Sequence, residues 1–257
     1  MDVAGAGAVV TGGGAGIGRA TALRLARDGA AVVVADVDEA AARETARLIE
    51  AGGGRALAVQ ADVAEDADLH RLLARAREAF GRLDVVVNNA GVVEAAGRVA
   101  FPELSPERWL RTLDVNLRGV LLGTQHAIAV MREHGGGVIV NVSSMAGMGL
   151  WPHPAPVYAA SKAAVIRFSA ALAPLAPRLG IRVNCICPDW VETPMTERTR
   201  AALSPEEWRA VAPPVMTRPD EIAEGILRLV GDDRLAGRVM LCVGPQPWPL
   251  AELPKRP

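Results

Sequence analysis

The sequence predicts an α/β fold in one domain: a parallel sheet covered on both faces by helices. Short apolar runs recur at residues 8–10, 32–34, 85–87, 138–142, 181–186 and 239–243, separated by stretches with helical periodicity. Runs this short and this continuously apolar suit strands buried on both faces. A glycine-rich turn follows the first run directly, as at the opening of a βαβ unit. With 257 residues, half of them hydrophobic, the chain can bury a substantial core, and no linker composition divides it. It shows no internal repeat.

The first strand leads into Thr11-Gly12-Gly13-Gly14-Ala15-Gly16-Ile17-Gly18, and Ile17, Ala20, Leu23 and Leu25 then mark a helix. Glycines permit positive φ and let backbone N–H groups approach a pyrophosphate at a helix N-terminus. A second strand over 31–35 ends at Asp36, whose carboxylate would accept hydrogen bonds from an adenosine ribose. Strand, glycine turn, helix, strand and acid in this order predict a dinucleotide site and a Rossmann-like, doubly wound sheet. Taken alone, the stretch also fits methyltransferases that use S-adenosylmethionine.

Tyr158, the only tyrosine, stands four residues before Lys162, one of two lysines in the chain. On a helix these residues share a face, so the ammonium can lie near the phenol. A free phenol ionises near pH 10, and a neighbouring cation favours the phenolate, all the more beside a cationic nicotinamide ring. Tyr158 is therefore a candidate general acid/base toward an alcohol or carbonyl. Lysine suits this work as a compact charge whose donors can also reach a ribose hydroxyl.

Together these motifs resemble the short-chain dehydrogenase/reductase family over nearly the whole chain. The family's Thr-Gly-x-x-x-Gly-x-Gly falls on Thr11, Gly12, Gly16 and Gly18, its Asn-Asn-Ala-Gly on 88–91, and its Asp-Val pair near the adenine on Asp62 and Val63. The resemblance implies an active-site tetrad of Asn116, Ser144, Tyr158 and Lys162, with Ser144 preferred over Ser143 by the Ser-x-x-Gly frame. It implies coenzyme contacts from Gly12, Gly14, Ala15, Gly16, Ile17, Gly18, Asp36, Asp62, Val63, Asn89, Ala90, Gly91, Tyr158, Lys162, Pro188, Val191 and Thr193. The expected domains are a catalytic unit over 1–244, with a substrate-loop region at about 188–218, and a proline-rich tail over 245–257.

Residues 141–188 further resemble bacterial relatives of 15-hydroxyprostaglandin dehydrogenase, through Ser144-Met-Ala-Gly147, Pro156-Val-Tyr158 and Cys187-Pro188. Ala155 stands where the prostaglandin enzyme has a substrate-binding glutamine, and the interval from serine to tyrosine is one residue longer. Asp189 replaces the usual glycine after Pro188, and Pro174 and Pro177 are expected within the helix that follows the active site. Met145, Trp151, His153, Trp190 and Met195 are the expected substrate contacts, with Met148 and Leu150 adding to an apolar pocket. A lipophilic secondary alcohol or the matching ketone would suit it.

The expected coenzyme is NAD, because Asp36 would face the 2′-phosphate of NADP and two like charges about 4 Å apart repel by roughly 4 kcal/mol at an effective dielectric constant of 20. Ala15 and Val37 occupy the positions where NADP-binding relatives place a cation, and Arg19 is neutral in this respect. The competing readings are an NADPH-dependent ketone reductase in a biosynthetic pathway and a nucleotide-sensing homologue without turnover.

A formal charge of −1 gives no electrostatic case for nucleic acid or a membrane surface, and the arginines between 71 and 82 read as a solvated helix face. With no signal-like or membrane-spanning stretch, a soluble, cytoplasmic protein is expected. Three cysteines argue against a disulfide framework. Cys185 and Cys187 are expected on opposite faces of one strand, and no metal site is expected. The resemblance implies a homo-oligomer, dimer or tetramer, packed through Ala163, Ala164, Ile166, Ala170 and Ala171. In the tail, Trp248, Leu250 and Leu253 are expected to be covered, beside the pocket.

Overall fold

The structure, a computed structural model, describes residues 1–94, 101–150, 152–244 and 246–251. Seven strands form one sheet: β1 (Gly7–Thr11), β2 (Ala31–Asp36), β3 (Arg55–Gln60), β4 (Val85–Asn88), β5 (Gly137–Val142), β6 (Ile181–Pro188) and β7 (Val239–Cys242). Their order is β3-β2-β1-β4-β5-β6-β7, and every neighbouring pair is parallel. The doubly wound α/β fold expected from the sequence is therefore present. The strand order reverses between β1 and β4, the place where such sheets open a ligand crevice at the C-terminal ends of their strands.

The strands alternate their residues between two apolar layers. Val10, Val32, Val34 and Val140 face α1 (Gly16–Arg27), α2 (Glu39–Ala51) and α10 (Pro219–Gly231). Val9, Val33, Val86 and Ile139 face α3 (Asp66–Phe80) and α5 (Gly119–Met131). A smaller cluster joins Val165 of α6 (Pro156–Ala171) to Cys185, Cys187 and Val239. Arg71, Arg75 and Arg77 lie on the exposed face of α3, as expected.

Several sequence expectations are corrected. β3 does not stand out as an apolar run because it is an edge strand, half-buried between exposed Arg55 and Gln60. Cys185 and Cys187 share a face, their Sγ atoms 4.0 Å apart, since residues two apart in a strand point the same way. The two prolines fall beyond the active-site helix: α6 ends at Ala171, Pro174 caps α7 (Leu175–Leu179), and Pro177 lies inside that short helix.

The described part of the tail doubles back along the outer edge of β7. Leu241 donates to Pro249 O at 2.9 Å, Ala251 donates to Val239 O at 2.7 Å, and Met240 faces Leu250 in an antiparallel bridge. Trp248, 3% exposed, enters the apolar layer of α10 and donates from Nε1 to Gly244 O at 2.9 Å. Trp248 is thus buried and Leu250 half-buried along the sheet edge; Leu253 lies outside the described residues. No helix among the described residues is long and apolar enough to cross a membrane.

Candidate active site

The nucleotide cradle is built where β1 meets β4. Asn89 donates from Nδ2 to Thr11 O at 2.9 Å and to Gly12 O at 3.1 Å, while the Thr11 hydroxyl accepts from the N–H groups of Asn89 and Ala90. The glycine turn is closely packed. A Cβ at Gly18 would collide with the Gly12 carbonyl, so only glycine lets α1 start this close to the strand. Gly16 opens the helix at φ +52°, a conformation that disfavours other residues. Ala15 is exposed at the cap and Ile17 is half-buried against the core.

Asp36 is fixed by its own backbone surroundings. Its Oδ2 accepts from Gly14 N–H at 2.9 Å and its Oδ1 from Asp38 N–H at 3.0 Å, which holds the carboxylate at the turn. Arg19 reaches back to the Gly14 carbonyl and donates from Nε to Thr45 Oγ1 at 3.1 Å. Asp62 accepts from Ala64 N–H at 3.0 Å and pairs with Arg111 of α4 (Pro106–Leu113) at 2.9 Å, next to buried Val63. Beyond β6, Val191 is buried, and the Thr193 methyl group lies 3.1 Å from where a Cβ of Gly16 would stand. The loop after Pro188 therefore closes on the glycine turn, where the N-terminal N–H groups of α1 stand beside a fixed carboxylate. That donor set fits a dinucleotide.

The four residues expected to form the tetrad converge at the same end of the sheet. Asn116 lies in a π-helical turn, Asp114–Arg118, between α4 and α5. Its side chain bonds Val92 twice, accepting from the N–H and donating to the carbonyl at 2.8 Å each, and donates to Ser161 Oγ at 3.2 Å. Lys162 is 3% exposed, donates to Val142 O at 3.0 Å, and has Nζ 5.7 Å from the centre of the Tyr158 ring. A Cβ at Gly91 would stand 3.4 Å from both Lys162 Nζ and Asn116 Oδ1, so the Asn-Asn-Ala-Gly turn lies against both. Ser143 is buried and donates to Lys162 O at 2.7 Å, whereas Ser144 hydrogen-bonds the Tyr158 phenol.

Burial dominates the electrostatics here. It raises the Tyr158 phenol above its ordinary range; the Ser144 hydrogen bond opposes that rise and the Glu94 carboxylate adds to it. Burial also pushes the Lys162 ammonium down to about 8. The sequence predicts that Lys162 draws the phenol toward ionisation, but within the chain alone desolvation dominates.

Of the expected substrate residues, His153 stacks near Tyr158, with ring centres 6.1 Å apart and planes 25° apart. Trp190 meets Trp208 of α9 (Pro205–Val211) edge to face at 5.2 Å. Met195 is half-buried in α8 (Pro194–Ala202). Met145 and Met148 pack against the cluster of Val165, Cys185 and Cys187, and Leu150 is fully exposed. Trp151 lies outside the described residues. Asp189 sits at the end of β6, where burial raises its carboxyl above the usual range and a hydrogen bond from Trp190 N–H opposes that rise.

Sequence reasoning missed Glu94. Buried to 5% exposure, it accepts from the N–H groups of Val157 and Tyr158 at the start of α6. Its one signal was a carboxylate placed directly after the apolar pair Val92-Val93.

Residues 6–204 match the family described as short chain dehydrogenase. The chain belongs to that family, oxidoreductases that act on alcohols and ketones with nicotinamide coenzymes. It is 39% identical over 227 residues to cis-4-hydroxycyclohexanecarboxylate dehydrogenase of Sinomonas cyclohexanicum, covering 88% of this chain and 89% of that one. Among solved structures, it resembles 3-ketoacyl-(acyl-carrier-protein) reductase from Brucella melitensis complexed with NADH, with TM-score 0.82, 33% identity, and coverage of 93% and 96%. It also resembles a short chain dehydrogenase from Burkholderia cenocepacia J2315 in complex with NADP, with TM-score 0.83, 32% identity, and coverage of 94% and 98%.

Proposed function

We propose that this chain is an NAD-dependent dehydrogenase that interconverts a lipophilic secondary alcohol and its ketone, with Tyr158 as general acid/base. The observation that carries the reading is the convergence of Ser144, Tyr158, Lys162 and Asn116 beside the glycine turn. Bound NAD would supply the hydride acceptor and, when oxidised, a cationic ring. Gly12, Gly14 to Gly18, Asn89, Ala90 and Gly91 would hold its phosphates and ribose, Pro188, Val191 and Thr193 the nicotinamide end, and Asp62 with Val63 the adenine. Ser144 orients the substrate oxygen, and Tyr158 takes its proton during oxidation or returns it during reduction. Both donors face the oxygen on which charge develops, where an oriented hydrogen bond lowers the barrier most. Lys162 binds ribose and opposes the effect of burial on the phenol, and Asn116 orders the relay to solvent.

Asp36 supports NAD, since both of its oxygens are pinned at the ribose end of the cradle. One observation favours the competing NADPH-dependent ketone reductase: the Arg19 guanidinium reaches the same turn, at the Gly14 carbonyl. The Sinomonas relative, named for a ring secondary alcohol, supports a cyclic substrate, for which His153, Trp190 and Met195 are the candidate contacts. Free, buried cysteines suit a cytoplasmic enzyme. The exposed Ala163 and Ala171 of α6 support assembly into a homo-oligomer, which light scattering would test. Nicotinamide absorbance, followed with both coenzymes against cyclic secondary alcohols and ketones, tests the reaction. Turnover with NAD is expected, and equal or better kcat/KM with NADP would favour the reductase.

A further inference from the structure

We infer that Glu94 is the positioning residue for Tyr158, tying the loop after β4 to the first turn of the helix that carries the phenol. The inference rests on the proposed role of Tyr158. α6 starts at Pro156, which has no N–H, and its cap residue Ala155 offers no side-chain acceptor, so the next N–H groups need partners from elsewhere. Glu94 provides them: Oε1 accepts from Val157 N–H at 2.9 Å and from Tyr158 N–H at 3.2 Å, and Oε2 accepts from Tyr158 N–H at 3.0 Å. The carboxylate thus meets the backbone of the acid/base residue itself, at the positive end of the helix dipole. Two residues upstream, Val92 is clamped by both ends of the Asn116 amide. The loop is therefore pinned to the π-helical turn at one point and to α6 at the other.

Position and charge act together. Facing the phenol are Lys162 from the same helix, Glu94 from the β4 loop, Cys187 from β6, His153 from the preceding loop and the Ser144 hydroxyl. Glu94 is the carboxylate in that set, and it disfavours phenolate, so removing its charge eases ionisation even where the helix start is preserved.

Because Tyr158 is the sole tyrosine, 3-fluorotyrosine labelling places one fluorine in the protein, at this ring. Fluorine NMR, titrated upward from neutral pH, would compare the parent with Glu94→Gln and Glu94→Ala, without coenzyme or substrate. For Glu94→Ala we expect a displaced resonance at neutral pH. Glu94→Gln, which keeps an acceptor for the helix start, should restore the resonance toward the parental position while titrating at lower pH than the parent. Should the alanine variant fail to fold, the glutamine midpoint decides alone. An unchanged midpoint in Glu94→Gln, or a folded Glu94→Ala whose resonance coincides with the parent's, overturns the inference. A plain helix cap would lower stability without moving that midpoint. Since neither readout needs turnover, failure here leaves the proposed reaction standing, and failure of the reaction shows separately in Tyr158→Phe.

Discussion

At the seam of β1 and β4, Asn89 and Thr11 bond each other's backbone and the Gly12 carbonyl. On the inner face of α6, Lys162 is nearly as deeply enclosed, yet among the described residues its ammonium makes one hydrogen bond, to Val142 O, and has no carboxylate partner. The seam is neutral and satisfied, so burial costs it little and rigidity is gained. The α6 face keeps ionisable groups out of water, and burial shifts both Tyr158 and Lys162 toward their neutral forms. One region spends its polar groups on holding a shape, and the other encloses ionisable groups at a cost in stability, where the proposed proton transfer would take place.

Lys162→Met should break this contrast most visibly. Turnover is expected to fall by about a hundredfold or more, in the range of a lost acid–base partner, while the folded state gains about 1–3 kcal/mol at pH 7. Burial lowers Lys162 in the folded parent to about 8, from an ordinary lysine value of 10.5. Across that window unfolding takes up a proton, so parental stability rises with pH and the advantage of methionine should shrink. Urea unfolding at pH 7 and pH 9.5 measures both parts.

The seam should respond in the opposite direction. Asn89→Ala leaves the Thr11 and Gly12 carbonyls short of a donor and is expected to cost about 1–3 kcal/mol, with weaker NAD binding by calorimetry. A stabilised Asn89→Ala would erase the distinction between the regions. Asp36→Asn should have the smallest effect, since the amide oxygen can keep one backbone donor: kcat/KM for NADP relative to NAD should rise by about tenfold, a fraction of the repulsion between like charges.

The cradle was the more legible region because its constraints are local in sequence. Gly16, Gly18 and Asp36 fall at fixed offsets from one strand, and backbone geometry dictates their types. Tyr158 and Lys162 were readable for the same reason, being one helical turn apart. Ser144 could be preferred over Ser143 by its frame, and the structure assigns Ser143 to a backbone carbonyl instead. Glu94 was illegible, since its partners lie 63 and 64 residues away and no local pattern announces a remote helix cap. The direction of the Tyr158 shift was also missed, because charge can be read from a sequence and desolvation cannot. Cys185 and Cys187 are a different case: strand periodicity places them on one face, and the opposite-face reading contradicted it. The path of the tail depended on which edge of β7 was free, a property of the whole sheet.

The central claim is that Tyr158 moves the proton, and the direct test is single-turnover hydride transfer in Tyr158→Phe, with NAD and a cyclic secondary alcohol that the parent oxidises. The phenylalanine keeps the ring and its packing but loses the hydroxyl. We predict a folded protein that binds NAD as the parent does and transfers hydride about a thousandfold more slowly, within the range expected for loss of a general acid/base. Transfer within a few-fold of the parental rate would contradict the claim.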